Sequence, residues 1–261
     1  MTAPAPFFDG TFPHHWQAEI LPARPLILPQ RHFVYPRHAE EVERGALEVL
    51  IRPSPIHPDE KRAAALKGHD FSRAVNAAES LRALAPEGTL SVSSCGADSS
   101  SIPHEFLAGA PGPAFGTWED KSPAPQPQEF LATCALGFRD PLVPTGLWSA
   151  PNPDEICAVS GGYAYIICTT APERFTMIEY RPVLQLLPVP AENLLLFVGH
   201  HSILAWGANG QAWQSEKLSD EGLTITSIEP GILHGQGWQM RTDKESPFAL
   251  DLQTGLLLPP A

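Results

Sequence analysis

The sequence predicts a mainly β fold of antiparallel, four-stranded repeats about 38 residues long, and three observations predict it. Gly161, Gly199 and Gly237 stand 38 residues apart, each closing a short apolar run, and the runs begin at Ile156, Leu194 and Ile232. A second run follows at once in the first two units, Tyr163 to Thr169 and Ser202 to Trp206. That is the pattern of a tight hairpin, with glycine supplying the positive φ of the turn. The segments leading into the runs, Pro151 to Glu155, Pro188 to Asn193 and Glu229 to Gly231, are all rich in proline and acid.

Further runs complete each unit. A third spans Phe175 to Tyr180, Gln211 to Glu216 and Phe248 to Gln253, and a fourth spans Val183 to Leu187 and Leu223 to Ile228. Asn209-Gly210, a strong hairpin signal, joins the second and third runs of the middle unit. Four strands in about 40 residues is the size of a propeller blade. Over residues 130 to 258 the chain resembles β-propeller repeat proteins in period and strand count. The resemblance implies blades that cover one another's apolar faces around a ring. Neither the Gly-His and Trp-Asp pairs of WD40 repeats nor a recurring kelch double glycine is present, so no functional residue is carried over. The alternative is a β-sandwich made of the same hairpins.

Before the repeats, residues 1 to 44 read as an extended arm in which prolines (Pro4, Pro6, Pro13, Pro22, Pro25, Pro29, Pro36) alternate with Phe7, Phe8, Phe12, Trp16, Phe33 and Tyr35. Such a segment forms neither helix nor central strand, yet it is too apolar for a disordered tail. It is expected to lie extended on its own domain or on a partner. Residues 45 to 261 form the β domain. Ala46 to Arg52 alternates and reads as a strand that pairs with Phe130 to Phe138, and Gly146 to Ser149 adds to an incomplete first unit. The part between, about residues 54 to 128, reads as an insertion. Pro58-Asp59-Glu60 opens one helix, and Phe71, Val75, Ala78, Leu81 and Leu84 fall on one face of a second. A loop rich in Pro, Ser and Gly follows from Asp98 to Gln128. The terminal Leu256-Leu257-Leu258 is expected to pair with Ala46 to Arg52 and close the ring.

Composition narrows the partners. Seventeen basic against 29 acidic residues give a net charge of −12, which excludes a nucleic-acid backbone or an anionic membrane as the expected surface. No stretch approaches the ~20 apolar residues of a membrane span. The four cysteines, Cys95, Cys134, Cys157 and Cys168, show neither metal-ligand spacing nor a secreted framework, so a cytoplasmic chain with buried thiols is expected. With a two-residue turn at Gly161-Gly162, Cys157 falls opposite Ile166 and Cys168 becomes its diagonal neighbour.

No motif carries chemistry outright. His200 and His201 fall at one predicted turn, Trp238 at the equivalent position of the next unit, and His234 on that unit's hairpin. In a ring, such turns gather at one mouth. There is no Gly-x-Ser-x-Gly elbow and no phosphate loop, while the acidic pairs Glu119-Asp120, Asp154-Glu155 and Asp220-Glu221 look like solvated turns. Trp206 and Trp213 flank Asn209-Gly210 as near cross-strand partners. Neither a cofactor nor a metal is implied. The expected function is that of a non-catalytic interaction or assembly protein, in which Phe7, Phe8 and Trp16 of the arm, and His200, His201 and Trp238, contact a partner protein or a second copy. The alternative is a hydrolase or lyase with a histidine base at the mouth.

Overall fold

The computed structural model describes residues 7–37, 45–54 and 128–259. The insertion expected at 54 to 128, with its two helices and long loop, lies almost wholly outside them. The described chain is mainly β and forms four sheets. In the first, β2 (Trp16–Leu21), β4 (Ala46–Pro53), β5 (Phe130–Ala135) and β3 (His32–Tyr35) lie in that order. The second runs β1 (Phe7–Asp9), β6 (Gly146–Ser149), β7 (Glu155–Ser160), β8 (Tyr163–Cys168) and β9 (Phe175–Met177). The third holds β10 (Gln185–Val189), β11 (Leu194–Val198), β12 (Ile203–Gly207) and β13 (Gly210–Gln214). The fourth holds β14 (Leu223–Glu229), β15 (Ile232–Gln239) and β16 (Lys244–Asp251). Pairing is antiparallel except where arm strands join, β1 with β6 and β3 with β5.

The sheets stack face to face, and strand alternation decides how. On β7, Ile156 and Ala158 enter an apolar cluster with Val49, Ile51 and Phe130 of the first sheet, whereas Cys157 and Val159 enter one with Leu195, Phe197 and Trp206 of the third. On β11, Leu196 and Val198 face Leu233 and Leu250 of the fourth. Inner strands are therefore covered on both faces and read as unbroken apolar runs. By contrast, β15 is covered on one face only, so Leu233, Gly235 and Gly237 are buried between half-exposed neighbours.

Several expectations are corrected. Among the described residues, no sheet closes into a barrel or a propeller ring. Leu257 instead bridges to Leu250 beside β16, while β4 is occupied on both sides by β2 and β5. The fourth run of each unit belongs to the next sheet, since β10 pairs with β11 and β14 with β15. Gly237 lies inside β15 rather than in a turn. A Cβ there would sit 2.3 Å from the Leu218 carbonyl oxygen, so close backbone approach, not turn geometry, requires the glycine. The Gly161-Gly162 turn does have two residues, at φ +56° and +75°, and Cys157 stands opposite Ile166. Trp206 and Trp213 part company: Trp206 pairs with Gln211 and Trp213 with Ala205, which places the indoles on opposite faces of the third sheet.

Candidate functional site

The arm is sewn into its own chain. Gly146 lets β1 lie close beside β6, because a Cβ there would meet the Phe7 carbonyl oxygen at 2.3 Å. The backbone N–H of Phe12 donates to Ser149 Oγ at 2.8 Å, and that of His15 donates to the Pro153 oxygen at 2.9 Å. His15 Nδ1 lies 3.1 Å from Asp154 Oδ1. Trp16, expected as a contact residue, is a core residue instead: it is buried, and its indole N–H donates to the Glu155 carbonyl at 3.0 Å. Tyr35 is buried as well, with its hydroxyl donating to the Pro172 oxygen at 2.8 Å, and burial pushes its phenol well above the ordinary range. Among the described residues, this leaves the aromatic rings of Phe7 and Phe8 half-exposed. Phe7 packs on Trp148, and Phe8 stands edge-on to Trp16 and His14.

A more exposed apolar feature lies between β2 and β3. Residues 22–31 join β2 to β3, which are opposite edges of the first sheet, so the connection crosses the ends of β4 and β5, about 14 Å at the usual strand spacing. At its tip, between Pro25 and Pro29, Leu26 is 104% and Ile27 89% exposed, with Leu28 at 42%. The signal was present in the sequence as Pro-Leu-Ile-Leu-Pro. It read as arm because only the sheet order makes it a loop with two anchored ends.

Among the described residues, neither His200 nor His201 is paired with a carboxylate. His200 and His201 lie in the loop between β11 and β12, with ring centroids 6.1 Å apart. His201 Nδ1 is 3.2 Å from the Ser219 carbonyl oxygen, and the Leu218 N–H donates to the His201 oxygen at 2.7 Å. On the other side of the same strap, the Trp238 oxygen accepts from Ser219 Oγ at 3.0 Å and from the Asp220 N–H at 2.8 Å. The structure thus brings His201 and Trp238 to either side of residues 218–220. Asp220 is held by Lys217 and the Met240 N–H, which keep its carboxyl below the usual range. His234 lies on β15, its Nε2 3.9 Å from Glu229 Oε1, beside a groove of about 670 Å³ lined by Ile232, Phe248 and Leu258. No hydrogen bond or ion pair among the described residues joins His200 or His201 to a carboxylate.

Two buried groups correct the sequence reading. Glu155, taken as part of a solvated acidic turn, is the first residue of β7. It shares the face of Cys157 and Val159, and its Oε2 accepts from Trp206 Nε1 at 3.0 Å. Burial raises its carboxyl above the ordinary range, against the pull of Trp206. Cys168 is disulfide-bonded, whereas Cys134 and Cys157 are free, buried thiols. On the first sheet, Thr133 Oγ1 donates to the buried Glu48 Oε2 at 2.6 Å and lies 2.8 Å from His32 Nε2. Among the described residues, no three His, Cys, Asp or Glu side chains are grouped to hold a metal ion. Among the same residues, no helix is long and apolar enough to cross a membrane.

Comparison with known protein families, curated proteins and solved structures gives no match.

Proposed function

We propose that the chain is a non-catalytic interaction or assembly protein that engages a protein partner, or a second copy of itself, through the apolar loop of its N-terminal arm. The observation that carries this reading is the exposure of Leu26 and Ile27 at the tip of a loop anchored at both ends. Those side chains contribute nothing to their own core. Burying each against another surface is worth about 1.5–3 kcal/mol, and the flanking prolines reduce the entropy lost on docking. The net charge of −12 favours a basic rim around the receiving pocket. The histidine reading is supported less well, because among the described residues no carboxylate orients His200 or His201. For the compartment, the disulfide at Cys168 favours an oxidising setting over the cytosol that the cysteine pattern suggested.

A photo-crosslinking residue at position 27, with one at exposed position 217 as control, tests the reading in cells that make the protein. The expected result is a protein adduct, to another chain or to a second copy, formed at 27 and not at 217. The purified pair should then bind at least tenfold more weakly when Leu26→Asp and Ile27→Asp are introduced. Equal labelling at both positions, or an affinity that the double variant leaves unchanged, overturns it.

A further inference from the structure

The layer between the second and third sheets changes character at one edge. On β11 and β12 it is filled by Leu195, Phe197, Leu204 and Trp206, all buried and apolar. On the edge strand β13, Gln214 pairs with Leu204 and Gln211 with Trp206, and a bulge that skips Ala212 keeps both carboxamides on that face. Both glutamines are exposed. Opposite them, Thr176 of edge strand β9 pairs with Ile166 and shares its face, half-buried. A groove of about 360 Å³ opens between the two edges, with buried Ile178, Leu204 and Trp206 as its floor and Thr176, Tyr180, Gln211 and Gln214 in its wall. The side chains of Thr176 and Gln211 have no hydrogen-bond partner among the described residues, and Gln214 reaches only Ser202 Oγ, at 3.5 Å. Tyr180 is the reverse: its hydroxyl accepts from the Ser202 N–H at 2.7 Å and donates to the Ser202 carbonyl, which fixes its half-buried ring. Among the described lining residues, Glu179 is the one charged group, and there is no Lys, Arg or His.

We infer that this groove is a binding site for a neutral saccharide of one or two rings. The carboxamides of Gln211 and Gln214 and the hydroxyl of Thr176 each donate and accept, which is what neighbouring sugar hydroxyls require. Tyr180, held by Ser202, offers an apolar surface for the C–H face of a sugar ring. The volume falls in the range of small-molecule sites. An anionic ligand finds no cation in the lining and is repelled by Glu179. The site shares no residue with the apolar loop tip and does not depend on the interaction reading.

Backbone and glutamine side-chain amide shifts of the full chain, titrated separately with cellobiose, maltose and methyl β-glucuronide, test the assignment. Saturable shifts at Thr176, Gln211 and Gln214 are expected with at least one of the two neutral disaccharides, and weaker binding with the anionic glucuronide. The double variant Gln211→Ala, Gln214→Ala should weaken that disaccharide about tenfold through the lost hydrogen bonds. It should also leave the urea midpoint unchanged, since both side chains are exposed and support nothing in the fold. Absence of saturation with both disaccharides, equal affinity of the double variant, a lowered midpoint, or tighter binding of the glucuronide would each overturn it.

Discussion

Trp206 on the third sheet donates its indole N–H to Glu155 Oε2 on the second, across 3.0 Å in the cluster that joins the two layers. A buried carboxylate that loses such a donor retains its desolvation cost. Trp206→Phe is therefore expected to lower stability by about 2–4 kcal/mol, combining the lost hydrogen bond with a small cavity. Urea unfolding of Trp206→Phe, Glu155→Gln and the double variant measures the coupling. If the two single effects simply add, the pair is not an interacting unit.

Glu155 also makes a prediction in pH. Its folded carboxyl titrates above the ordinary value because burial outweighs the Trp206 hydrogen bond. The folded state therefore binds the proton more tightly than the unfolded chain. That contribution is complete below the unfolded pKa and is lost as pH rises through the raised folded value. Glu155→Gln should remove this decline and be the more stable protein at pH 7, with its advantage shrinking toward acid. The exposed Asp220 and Asp251 are shifted down and contribute in the opposite sense at lower pH, equally in both proteins. A Glu155→Gln curve parallel to that of the parent chain would refute the assignment.

Gly161 and Gly231 separate two roles of glycine. Both have positive φ, +56° and +77°, but a Cβ on Gly161 would lie 2.3 Å from the Phe138 carbonyl oxygen, whereas nothing lies within 4 Å of one on Gly231. Gly231→Ala should cost about 1 kcal/mol, the price of a left-handed conformation alone. Gly161→Ala adds a backbone clash, so a loss of more than about 3 kcal/mol is expected. Thermal or urea unfolding that ranks them equally would contradict this.

Thiol labelling tests the cysteine assignment. Cys134 and Cys157 are fully buried, and burial pushes both thiols well above their ordinary value. The native protein should resist labelling at pH 8, and two thiols should react on denaturation without reductant. Four reactive thiols under those conditions would show that Cys168 is reduced.

Deleting residues 1 to 38 is no clean test of the arm, because Trp16 and Tyr35 are part of the core between the first two sheets. The truncated chain should lose its cooperative unfolding transition. The Leu26→Asp, Ile27→Asp double variant changes only exposed side chains and should keep stability within about 0.5 kcal/mol of the parent. Circular dichroism against temperature distinguishes them, and a truncated chain that melts like the parent would refute the placement of the arm.

Short-range features were legible in the residues. The two-glycine turn and the pairing of Cys157 with Ile166 follow from φ preference and period-two alternation, which act within a few residues. The candidate site was less legible. Trp16 reads like Phe7 and Phe8 in sequence, and only the Glu155 carbonyl and the first-sheet strands around it make it core. Likewise, nothing local distinguishes Glu155 from the other acidic turn residues until β7 acquires a sheet on either side.

Alternating and unbroken apolar runs, glycine turns and proline breaks thus settle that the chain makes antiparallel strands of this length. They act locally, so one sequence carries them all. Which run joins which sheet, whether the stack closes, and which apolar residues stay exposed depend on layer-to-layer burial between residues far apart in the chain. The same run serves equally well as the last strand of one sheet or the first of the next. The packing of β10 against β11 chose the latter, and the separation of β2 from β3 across two strands left Leu26 and Ile27 in solvent.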